Sequence, residues 1–233
     1  MKIAEFDVEI ERKGIKNIHL AVYPPDGRVH ISVPTNMRDD DLGMYLYSKL
    51  SWIREQHSKV ISQNRQTTRE YVTGESHYFL GARYLLKVLN TNQKAYVLRK
   101  TKYIELYVKS DSSVTRKQEV MEGFYRDELQ KVLAKLIETW SEKMDEDSST
   151  FSWNILHMQN QWGSCKTQKR SIQFNLLLAR VPIRCIEYIV VHELAHLKEH
   201  NHNNNFAQIL DEYLPDWPSR KKELDEFVAL PIK

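Results

Sequence analysis

Between His192 and His202 the chain reads HELAHLKEHNH, four histidines in eleven residues, with Glu193 directly after the first. Imidazole nitrogens are good ligands for a divalent transition ion, and a carboxylate beside them is a candidate general base. His192 and His196 are four apart on a predicted helix. That spacing puts both rings on one face, about a turn apart, where they can share one ion. Glu193 projects beside the same face, near the ion but turned from direct coordination, where it can take a proton from water. A surface helix with two solvated histidines is the plain alternative. It conflicts with the stripe Ile183, Ile186, Val190, Leu194 and Leu197, which marks a core helix. Burying two histidines and a glutamate there without partners would be costly, and an ion removes that cost.

A catalytic zinc needs three protein ligands and one open position. On a straight helix His192, His196 and His200 span about 12 Å at ~1.5 Å per residue, too far for a single ion. A turn after the helix returns His202 instead, and the run NHNNN offers asparagines that tolerate the left-handed backbone expected of such a turn. His202 is therefore the expected third ligand, with His200 the runner-up and Glu212 a further candidate on a following helix. Ten residues from His192 to His202 is also the metzincin spacing, but Glu199 stands where that pattern has Gly and no Met follows Met158.

The elements that must position these groups follow from periodicity. Ile18–Tyr23 and Val29–Val33 are β-rich runs around Pro24, Pro25, Asp26 and Gly27, a hairpin turn. Leu42, Leu46, Leu50, Ile53, His57 and Val60 recur at helical spacing after acidic residues, so one helix is predicted there. Two further hairpins are predicted, turning near Gly81 and near Lys100–Lys102. The polar stretch Lys109–Lys117 reads as a loop and gives a boundary between residues 1–112 and 113–233. Tyr125, Leu129, Leu133, Ile137 and Trp140 then form one helical stripe, followed by a strand region at Phe151–Met158. Pro182 is expected at the first position of the histidine-bearing helix. Helices follow over Phe206–Tyr213 and after Pro215, and no internal repeat is visible in the sequence.

Composition narrows the class. The 233 residues carry 34 basic and 31 acidic side chains, a mild excess that permits a nucleic-acid partner without arguing for one. Two cysteines, Cys165 and Cys185, exclude a disulfide framework and point to a reducing compartment. The first residues lack the apolar core of a signal peptide, and no apolar run approaches a membrane span, so a cytoplasmic protein with no membrane partner is expected.

With the preceding segment joined to the helix, QWGSC, SIQFN, IEYIVVHELAHL and NHNNNF occur in the order of a known pattern. The sequence resembles the YgjP-like zinc metallopeptidases, which are related to the SprT-like and WLM proteases. PPDGRVHISVP, SWIREQ and GESHYFLGARYLLKV extend the resemblance over nearly the whole chain. It implies an α+β fold: a β-rich N-terminal region with one helix, then a minimal zincin-like domain with a small sheet on the active-site helix. It makes His192, His196 and His202 the ligands of one Zn2+ and Glu193 the catalytic acid/base, and it favours His202 over His200. Gln161, Lys166-Thr167 and Glu199-His200 depart from the pattern without touching these residues.

Trp162, Gly163 and Ser164 have two readings. Small residues suit a strand packed closely under the helix, or an edge strand that pairs with an extended substrate. Tyr213 or Tyr188 is a candidate donor to the oxyanion of an acyl-transfer reaction, and Cys185 reads as a small core residue. The expected activity is hydrolysis of a peptide or protein substrate. The alternatives are a non-peptide amide hydrolase, a zinc-containing binding module and a DNA-associated protease. Arg65, Arg69, Arg83, Arg99, Lys100 and Lys102 would be the DNA contacts of the last.

Overall fold

The computed structural model describes residues 1–23, 27–62, 69–158 and 161–228. The chain divides after Thr67 into two compact units. In the first, β1 (Lys2–Ile3), β2 (Phe6–Lys13), β3 (His19–Tyr23) and β4 (Arg28–Pro34) form a sheet ordered β1-β2-β4-β3. β2 and β4 are parallel; the outer pairs are antiparallel. β2 is a strand that the charges of FDVEIERK conceal. Phe6 and Val8 are buried while Asp7 and Glu9 face water, the period-two pattern of a sheet with one wet face. The predicted hairpin is β3–β4, with Tyr23 opposite Arg28, and its residues Pro24 to Asp26 lie outside the described residues. The single predicted helix is two, α1 (Asp39–Ser48) and α2 (Leu50–Ser62), because Lys49 closes α1 with its N–H bonded back to Tyr45 and Leu46. Ile31, Val33, Leu42, Leu46 and Ile53 close a small core.

The second unit opens on β5 (Ser76–Phe79), β6 (Ala82–Asn90), β7 (Tyr96–Arg99) and β8 (Tyr103–Val108), ordered β5-β6-β8-β7. Here too the inner pair is parallel and the outer pairs antiparallel. The two sheets thus repeat one topology that no sequence repeat announces. The long helix α3 (Val114–Lys143) starts inside the predicted loop, where the Ser113 side chain accepts from the Arg116 N–H at 3.1 Å. Its stripe Met121, Tyr125, Leu129, Leu133 and Ile137 lies on the inner face of this sheet, with Leu86, Ile104 and Leu106, in one continuous core. The boundary expected at residue 112 therefore falls inside the second unit: the sheet before it and the helix after it share their buried side chains.

A third sheet has the order β10-β11-β9, from β9 (Ser152–Leu156), β10 (Gly163–Lys166) and β11 (Ser171–Asn175). A short 3-10 turn over Leu176–Arg180 then leads into α4 (Ile183–Lys198), followed by α5 (Asn204–Tyr213) and α6 (Trp217–Val228). The architecture is α+β, as expected. Pro182 is the extended residue before α4 rather than its first helical one. The β5–β6 turn fixes this entry point. Leu80 and Gly81 donate their N–H groups to the carbonyls of Ala179 and Arg180 at 2.9 and 3.0 Å. Gly81 has φ +81°, and a Cβ there would lie 2.9 Å from Pro182 Cα, so only glycine fits.

Candidate metal centre

α4 packs on α3, β10, α5 and α6, and its buried side chains include Ile186, Val190, Val191 and Leu194. Glu187 ties three helices together: Trp140 Nε1 donates to its Oε1 at 3.0 Å, and Arg220 Nη1 donates to its Oε2. This packing fixes the remaining face, which carries His192 and His196. After Lys198 the chain reverses. Glu199 is extended, its Oε1 accepts from the Asn201 N–H at 3.1 Å, and Asn203 starts α5 by accepting from the Phe206 N–H at 3.0 Å. No left-handed asparagine is used, because side-chain acceptors turn the backbone instead.

That reversal brings His202 Nε2 to 3.0 Å from His192 Nε2 and 3.1 Å from His196 Nε2. The ligand atoms of the three residues all lie within 4.8 Å of one another. Zinc–nitrogen bonds of about 2.0–2.1 Å at tetrahedral angles separate donor nitrogens by roughly 3.3 Å, so the set fits such an ion. His196 Nδ1 donates to the Glu199 carbonyl at 3.0 Å, which leaves Nε2 as its lone-pair nitrogen, directed at the triad. Burial pushes His192 down to about 3 and lowers His196, which favours the neutral form that a metal ligand needs. The Phe206 ring, 4% exposed, lies 4.5–4.9 Å from all three imidazoles and gives them an apolar floor. His200, the runner-up, points its Nδ1 at Thr167 Oγ1, 2.9 Å away. Glu212 is exposed on α5, outside the cluster.

Glu193 is 3% exposed, its Oε2 has no hydrogen-bond partner among the described residues, and burial pushes its pKa up to about 8. Gly163 makes room for it: a Cβ there would lie 2.5 Å from Glu193 Oε1 and 2.9 Å from Cδ. Triad and carboxylate open into one cleft of about 440 Å³ between the β10 segment and α6. A buried acid with an unsatisfied oxygen, beside neutral imidazoles whose lone pairs converge, is a donor set suited to a divalent cation.

A family model described as YgjP-like, metallopeptidase domain, matches residues 16–227. The chain belongs to the YgjP-like metallopeptidase family. It is a metal-dependent peptidase. Two solved structures are similar to parts of this YgjP-like chain. The metallopeptidase zymogen abylysin of Pyrococcus abyssi is 15% identical with a TM-score of 0.39, over 43% of this chain and 99% of that one. The zymogen jannalysin of Methanocaldococcus jannaschii is 16% identical with a TM-score of 0.37, over 40% and 94%. No curated protein is a significant match.

The other expected residues of the YgjP-like chain divide. Trp162, Gly163 and Ser164 line the cleft, on and just before β10. Tyr213 does not line it; the Lys198 ammonium stands 5.9 Å over its ring. Tyr188 does line it. Asn175, which sequence reading left without a role, holds the approach to β10. It is 1% exposed, and its Nδ2 donates to the carbonyls of Met158 and Gln161, both at 2.8 Å. Of the proposed DNA contacts, Arg65 lies outside the described residues and Arg69 is turned inward onto Glu75 at 3.1 Å. Arg83, Lys100 and Lys102 are exposed, and Arg99 leans on Tyr84. Among the described residues no helix is long and apolar enough to cross a membrane.

Proposed function

We propose that the protein hydrolyses peptide bonds with one zinc ion held by His192, His196 and His202 and with Glu193 as the proton carrier. The observation that carries this reading is the convergence of three Nε2 atoms beside a buried, otherwise unpartnered carboxylate in an open cleft. When bound, the ion supplies Lewis acidity toward the attacking water and the scissile carbonyl. The charge of the bound ion would offset the desolvation of Glu193 and favour its ionised form, which takes a proton from that water as its oxygen adds to the carbonyl carbon and returns it to the amide nitrogen as the C–N bond breaks. β10 is the edge of its sheet, bonded to β11 on one side only, so an extended substrate can pair along the Gly163–Lys166 backbone. Gly163 thus serves twice, as a strand residue without side-chain bulk and as the space for Glu193.

The test is metal analysis of the purified protein together with peptide hydrolysis, for wild type and Glu193→Gln. The expected result is one zinc per chain in both, with hydrolysis lost in the variant. Undiminished turnover in Glu193→Gln would overturn the assignment. A closed site with a fourth protein ligand would instead mark a binding module.

A second reading, a DNA-associated protease, has one observation in its favour. Ser76–Val108, which holds the second four-stranded sheet, carries six basic residues (Arg83, Lys87, Lys94, Arg99, Lys100, Lys102) and one acidic one, Glu105. Such clustering attracts polyanions. Under this reading, hydrolysis in the same assay rises when DNA is added and falls back with salt.

A further inference from the structure

Hydrolysis at the triad leaves one requirement unmet by the residues assigned so far. As water adds, the carbonyl oxygen gains negative charge, and a preorganised donor at that oxygen contributes much of the rate. Tyr188 stands one helical turn before His192 on the same face of α4 and lines the same cleft. Its ring is clamped: it meets the His192 imidazole edge-on at 5.8 Å and stacks on Trp217 at 6.3 Å with 15° between planes. Trp217 is itself held, its Nε1 donating to Asp211 at 2.8 Å. A side chain held by two ring contacts presents its hydroxyl at a defined point, which a donor to a transient charge requires.

The hydroxyl has nothing else to do. Tyr188 is only 5% exposed, yet its oxygen has no hydrogen-bond partner among the described residues and is not among the atoms sealed from solvent. A buried tyrosine ordinarily finds a partner, as Tyr125 does in His77 at 3.2 Å. Tyr213, the other tyrosine the sequence offers, lies outside the cleft.

We infer that Tyr188 is a catalytic residue whose hydroxyl donates a hydrogen bond to the carbonyl oxygen as it becomes an oxyanion. This rests on the peptidase reading above and deepens it. The covalent steps are unchanged, and the hydroxyl proton stays on Tyr188 throughout.

Tyr188→Phe removes one oxygen and keeps the ring that packs against His192 and Trp217. The experiment compares wild type, Tyr188→Phe, Tyr213→Phe and Glu193→Gln on one peptide substrate. Zinc content, Tm and inhibition by a phosphinic peptide that mimics the tetrahedral state are measured beside the rates. The expected result for Tyr188→Phe is a kcat lower by about 10²–10³-fold, the effect of losing one such donor. KM, zinc content and Tm hold, and the phosphinic peptide binds more weakly by a factor that follows kcat/KM. Tyr213→Phe matches wild type. A kcat in Tyr188→Phe within about threefold of wild type overturns the inference. So does a fall in kcat accompanied by lost zinc or a lowered Tm, which marks a packing role. Failure of the peptidase reading looks different, because Glu193→Gln then turns over like wild type.

Discussion

The two four-stranded sheets share an order and a set of strand directions, and differ in what their buried faces touch. The first closes a core of its own with α1 and α2, from Ile31, Val33, Leu42, Leu46 and Ile53. The second has no private core. Leu86, Ile104 and Leu106 run into α3 and on to Ile186, Val190 and Leu194 of α4, whose opposite face carries the histidines. Its β5–β6 turn also holds the backbone that enters α4. The same topology is a self-contained unit in one place and part of the scaffold of a metal centre in the other. What a strand contributes to function is thus decided by the helix its face meets, not by its place in the sheet.

Matched substitutions sharpen this contrast. Leu86→Ala and Ile31→Ala each remove a fully buried side chain, one per sheet. Both are expected to cost about 2–5 kcal/mol in denaturant unfolding. Only Leu86→Ala is expected to weaken zinc retention against a chelator, and equal retention in the two variants would break the comparison. A smaller effect is expected at two turn glycines of positive φ, Gly27 (φ +74°) and Gly81 (φ +81°). Alanine at either costs about 1–2 kcal/mol in backbone strain, plus the clash with His57 or with Pro182. Peptidase activity of the folded protein is expected to fall for Gly81→Ala and hold for Gly27→Ala, which steady-state kinetics below both melting temperatures resolves.

The smallest effect per step is in pH. His77 of the second sheet is 1% exposed, and burial depresses its pKa from 6.5 to about 3, although Glu75 lies 3.3 Å away, shared with Arg69. The unfolded chain takes up the proton below about 6.5 and the folded chain refuses it until about 3. The stabilising contribution is therefore complete above 6.5 and is lost through that window at about 1.4 kcal/mol per pH unit. Chemical unfolding across this range is expected to show a shallower acid loss in His77→Gln than in wild type; parallel curves would refute the buried neutral ring.

Legibility in the sequence follows distance along the chain. The triad was readable because helix pitch fixes His192 against His196 and a five-residue reversal limits where His202 can go. α3 and α4 were readable from stripes long enough to show their period. β2 was not, since charged residues at its wet positions mask the alternation of Phe6 and Val8. The repeated topology, the Asn175 bonds that hold β10 and the Glu187 link among α3, α4 and α6 join residues far apart, and no local pattern encodes such pairings. The polar stretch Lys109–Lys117 looks like a border for the same reason, although side chains on both of its flanks are buried in one core.

One feature of the centre bears on how the ion comes and goes. His192, Glu193, His196 and His202 lie within eleven consecutive residues, and His202 sits on an exposed turn between two helices. Under the proposed ligand set, opening that turn alone would detach His202 while α4 stays docked, so a local fluctuation would suffice to release the ion without melting of the fold. The same brevity means that, once α4 is docked, little chain entropy opposes bringing His202 back to the other two histidines.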